Sequence, residues 1–114
     1  MAHRPNIRNA SIQCTSAIKN LATLPDNLQN RIIAACVGGF FHVNPEDLPD
    51  ELREDYEALR ERVTAKDIVN PNEGRVHATL REMDEDEARD VATELFAFVQ
   101  AVWRESSRSR SQSQ

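Results

Sequence analysis

Two pairs of carboxylates carry the most chemistry this chain has to offer. "ELRE" supplies Glu51 and Glu54, and "EARD" supplies Glu87 and Asp90. Each pair is spaced i, i+3 and so falls on one side of a helix. Carboxylates that converge from two helices can hold Mg²⁺, which takes oxygen ligands from a few side chains and completes its shell with substrate phosphates. The other reactive residues form no pattern. His3, His42 and His77 are scattered, and none stands four residues from another His or a Cys, as a zinc site on a helix would require. His42 lies between Phe41 and Val43, and His77 between Val76 and Ala78, so both read as packed or edge residues. Cys14 and Cys36 are not in a C-x-x-C arrangement and read as small buried hydrophobes; in an apolar helix the Cys36 thiolate is disfavoured. Gly38 and Gly39 have no strand before them and no Lys-Ser/Thr after them, so they make no phosphate loop. No nucleophilic triad and no cofactor are expected.

These residues need helices to hold them, and the sequence predicts an all-α fold: a small bundle of three long helices plus one or two short ones. The first helix is expected over residues 9–22, with Ile12, Cys14, Ala17, Ile18 and Leu21 on its apolar face. Pro25 and Asp26 then suit the first turn of a central helix. Its arc of Leu28, Ile32, Ile33, Ala35, Cys36, Val37, Phe40 and Phe41 is the widest in the chain, which makes it the hub. Gly38 and Gly39 either stop this helix or let another backbone approach closely, and close packing is favoured because Phe40 and Phe41 follow. "NPED" predicts a short helical turn. "LPDE" starts a helix over residues 49–65 with the narrow stripe Leu52, Tyr56, Leu59 and Val63. "DIVNPNEG" is a connector, and "RVHATLRE" a short helix. The last helix has a D-x-x-E capping box at Asp84 and Glu87, and an apolar arc running to Trp103.

With helices in place, the acidic pairs resemble the E-x-x-E and E-x-x-D motifs of the MazG-type nucleotide pyrophosphatases. That resemblance implies an all-α, Mg²⁺-dependent enzyme using Glu51, Glu54, Glu87 and Asp90, although the family's first motif opens with two adjacent acids, and only Asp50 before Glu51 fills that role here. Two readings need no catalysis. The acids read simply as solvated faces, since Glu57 to Arg60 and Glu85 to Arg89 are favourable helical spacings. They also permit a mimic of nucleic acid that inhibits a DNA- or RNA-binding protein, with Arg53, Arg60 and Arg62 interrupting the negative field.

Charge and hydropathy narrow the field further. The net charge is −5, and the body up to Trp103 is more acidic still because three of the fourteen basic residues fall after it against one acid. An acidic body opposes direct binding to nucleic acid or anionic membrane, leaving only a weak contact through the arginines of the tail. No apolar run is long enough to span a membrane and the start "MAHRPNIRN" lacks a signal-like segment, so a cytoplasmic protein is expected. Residues 1–8 read as a flexible arm, 9–103 as one helical domain, and 104–114 ("RESSRSRSQSQ") as a disordered Ser/Arg/Gln tail. What remains is surplus apolar surface. Phe96, Phe98, Val99, Val102 and Trp103 at the end of the last helix are more than a small bundle needs. The expectation is a non-catalytic interaction module, a homodimer or an accessory subunit of a larger bacterial or phage assembly, whose partner is itself or another protein.

Overall fold

The computed structural model describes residues 6–68 and 70–112. Five α-helices and two short 3-10 turns are found among them: α1 (Ile7–Thr23), α2 (Leu28–Gly38), the turns Phe40–His42 and Pro45–Asp47, α3 (Asp50–Val63), α4 (Arg75–Glu82) and α5 (Glu85–Gln112). No strand is present among the described residues, so the all-α bundle is the fold.

Helix ends follow local chemistry. Asn6 caps α1 by accepting from Arg8 N–H, and its own N–H donates to the buried Asp47 carboxylate at 3.0 Å. The N-terminal arm expected up to residue 8 is thereby drawn into the helix from Ile7 on; residues 1–5, with His3, lie outside the described residues. Pro25 does not open α2. It holds Leu24 in extended backbone (ψ 124°), and Asn27 becomes the cap, accepting from Asn30 N–H at 2.8 Å. Asp84 caps α5 through Glu87 N–H at 2.8 Å, as its sequence box predicts.

The core is built from all five helices. α2 packs against α1, α4 and α5, with Ile32 and Cys36 fully enclosed, so it is the hub that its apolar arc predicts. Its arc is narrower than expected, since Val37 is exposed, as is Ile12 on α1. The α3 stripe is buried at all four positions. At its centre Phe40, Tyr56 and Phe98 form an aromatic triangle, with centroids 4.7 to 5.7 Å apart. Tyr56 Oη donates to the Phe40 carbonyl and accepts from Arg60 Nη1, both at 3.0 Å.

Both readings of the glycine pair are realised. α2 ends at Gly38, and Gly39 sits where a Cβ would come within 2.5 Å of Ala17 N and Gln13 O, backbone atoms of α1. The space is needed for the two helices to meet.

The stretch after Trp103 departs from expectation. It was predicted to be disordered, yet α5 continues to Gln112. The packed part of the helix supplies the costly nucleus, so adding turns requires little more. Ser106 continues the buried side one turn beyond Val102, and Arg108 pairs with Glu105 at 2.5 Å. Residues 113 and 114 lie outside the described residues.

Candidate interaction groove

α3 and α5 run antiparallel. Arg62, near the end of α3, reaches Glu94 near the start of α5 at 2.5 Å, while Glu51 at the start of α3 shares a pocket with Arg104 and Arg108. Between them lies an open groove of about 460 Å³. Leu59 and Phe98 form its floor, Ala58, Ala97 and Ala101 its walls, and Asp55, Arg62 and Glu94 its rim. Wet helix flanks are ordinarily covered by long polar side chains whose stems shield the seam. Alanines at three wall positions leave this seam uncovered instead. At its Ala101 end the groove continues into the Glu51, Arg104 and Arg108 pocket.

The expected interface residues divide. Phe98, Val99 and Val102 are buried in the chain's own core, so one copy disposes of most of the apolar surface that seemed surplus. The reason is the width of the bundle: α5 is covered by α1, α2 and α3 together, and an arc too wide for one neighbour suits three. Trp103 is half-buried, and its Nε1–H donates to Thr15 Oγ1 at 3.0 Å. Phe96 alone of the five is exposed, at 43%.

The acidic pairs do not meet. Glu51, Glu54, Glu87 and Asp90 are all exposed. Glu51 lies level with Arg104, whereas Glu87 and Asp90 stand several turns back along α5, so the pairs are separated by roughly 15 to 25 Å at 1.5 Å per residue. Among the described residues no group of three or more His, Cys, Asp or Glu is placed to hold a metal ion. The arginines of α3 make local contacts: Arg53 Nε donates to the Pro45 carbonyl, Arg60 lies over the Phe41 ring at 5.1 Å, and Arg62 pairs with Glu94.

The remaining reactive groups are structural. Burial pushes the Cys14 and Cys36 thiols up to about 12, which leaves them protonated and unreactive. Burial likewise raises the Tyr56 phenol, against the opposing charge of Arg60. His42 Nε2 lies 3.0 Å from the Val37 carbonyl at the exposed end of α2, and His77 is half-buried on α4. Among the described residues no helix is long and apolar enough to cross a membrane.

No family model, curated protein or solved structure matches the chain. The groove was missed in the sequence because alanine in a helix reads as a filler of high propensity. A signal was nonetheless present, in that Ala58, Ala97 and Ala101 share helical lines with the charged Asp55, Arg62, Glu94 and Arg104.

Proposed function

We propose that this chain is a non-catalytic protein-interaction module, working as a homodimer or as an accessory subunit of a larger assembly, and that α5 supplies the contact. The observation that carries the reading is the alanine-walled groove between α3 and α5. A concave seam with an apolar floor, small walls and a charged rim suits a helix laid along it, because the small side chains let the incoming backbone approach and the rim fixes its register. The contact lies on the α3 side of α5, not on the buried residues Phe98, Val99 and Val102.

Ala97→Glu tests this. Ala97 is exposed, so a longer side chain there leaves the fold intact, with a stability change within about 0.5 kcal/mol. It fills the groove and should abolish whatever complex the wild type forms, read as native mass by light scattering. A complex that survives both Ala97→Glu and Ala101→Glu would remove the groove from the account.

A further inference from the structure

The groove face matches a second copy of itself. Along the flank of α5 that faces the groove lie Asp90, Glu94, Ala97, Ala101, Arg104 and Arg108, spaced by three or four residues and so in one line. The line is acidic at its start, small in its middle and basic at its end. Reversed on itself about position 99, it sets Asp90 against Arg108, Glu94 against Arg104, and Ala97 against Ala101. α3 repeats the pattern at its ends. Glu51, Asp55, Ala58 and Arg62 form its groove-side line, and reversal about its own midpoint sets Glu51 against Arg62, while Asp55 meets Ala58 and gains no opposite charge.

The two midpoints coincide in space. With Arg62 beside Glu94 and Glu51 beside Arg104, the middle of the α3 line falls level with position 99 of α5. A single two-fold axis, perpendicular to both helices, therefore pairs the whole α5 line and the end charges of the α3 line at once. This is the condition for an isologous interface, in which one patch meets itself. Among the described residues neither Asp90 nor Arg104 makes an ion pair within its own chain, and the Arg62–Glu94 and Arg108–Glu105 pairs are solvent-exposed and cheap to rearrange.

We infer that the partner is a second copy of this chain, with α5 antiparallel to α5 and α3 antiparallel to α3, closing a four-helix layer packing in which the alanines form the close crossing. This rests on the interaction-module reading and deepens it by naming the partner. The α5 line from Asp90 to Arg108 is about 27 Å long and the α3 line from Glu51 to Arg62 about 17 Å, roughly 400 Å² per copy from helix dimensions. A total of about 800 Å² is below what a stable specific interface buries, so the dimer is weak and transient. Its affinity falls with added salt, since screening weakens exposed charge pairs.

The test is sedimentation equilibrium of the full chain up to several hundred micromolar, with far-UV circular dichroism to verify the fold of each variant. Wild type is expected to dimerise. Arg104→Glu sets like charges opposite Glu94 twice per dimer and should weaken association about tenfold or more. Glu94→Arg should do the same, and the double variant E94R/R104E, which restores opposite charges across the axis, should regain most of the wild-type affinity. A strictly monomeric wild type overturns the second-copy partner while leaving the module reading to be judged by capture of another chain from the rim at position 55. A dimer indifferent to both single reversals, or one not rescued by the double variant, overturns the two-fold arrangement.

Discussion

Replacing Gly39 with alanine probes how α1 and α2 are joined. The added methyl carbon would lie 2.5 Å from Ala17 N and Gln13 O and 2.9 Å from Ala17 Cα. All three are helix backbone, so no rotamer change relieves the clash, and the helices must part by about 1 Å to restore ordinary contact. That movement strains two bonds across the same seam, Ser16 Oγ to the Gly38 carbonyl at 3.0 Å and Asn20 Nδ2 to the Ala34 carbonyl at 3.2 Å. Overpacking of this kind costs about 1 to 3 kcal/mol, and weakening two hydrogen bonds adds about 1 kcal/mol. The stiffer unfolded chain returns roughly 0.4 to 1 kcal/mol. The net expectation is a loss of about 2 to 3 kcal/mol, measured by urea titration followed through Trp103 fluorescence. Gly38→Ala is the control. Its Cβ meets only the Asn20 side chain, which can swing away at the expense of one hydrogen bond, so about 1 kcal/mol is expected. A Gly39→Ala protein as stable as wild type, or less affected than Gly38→Ala, would refute the close-approach reasoning.

Three more outcomes follow from the structure. Phe98→Asp should unfold the chain rather than merely uncouple it from a partner, since the ring is the third member of the Phe40–Tyr56 triangle and its loss alone costs about 3 to 5 kcal/mol; circular dichroism showing a folded monomer would contradict this. Stability should fall as pH rises from about 9 towards about 12, because the unfolded chain gives up its thiol protons at the ordinary value while folding holds Cys14 and Cys36 at about 12, and Tyr56 shifts in the same direction. A urea midpoint that stays flat across that window would contradict it, and Cys36→Ala should shallow the slope. Millimolar Mg²⁺ should leave the melting temperature unchanged and nucleoside triphosphates intact; triphosphate cleavage that disappears in Glu54→Gln would instead restore the pyrophosphatase reading.

Much of the fold was legible because its signals are local. The Asp84 cap, the Pro45-led turn and the Leu52, Tyr56, Leu59, Val63 stripe each depend on a few neighbouring residues and form as read, while Pro49 precedes α3 instead of opening it. The errors arose where a local cue competed with another. Asn27 outcompeted Pro25 as the start of α2, and the packed body of α5 carried its polar end into helix. The candidate site was less legible for a different reason. Counting aromatics on α5 shows how much apolar surface exists but not how many helices share it, so Phe98, Val99 and Val102 pointed to an interface that the core had already claimed. The alanines and the alternating charges become a site only when α3 lies antiparallel beside α5 with Arg62 at Glu94, a registration no single helix records.

The central claim, that the α3/α5 face is covered by protein when the chain is assembled, is tested most directly by photo-crosslinking from the groove rim at position 55. A benzophenone side chain placed there in the full chain, and irradiated at working concentration, should yield a covalent product containing a second polypeptide, with mass spectrometry showing whether that polypeptide is this chain. The same group at Glu57, exposed on the outer side of α3, should yield far less. Equal crosslinking from both positions, or none from position 55, would contradict the account.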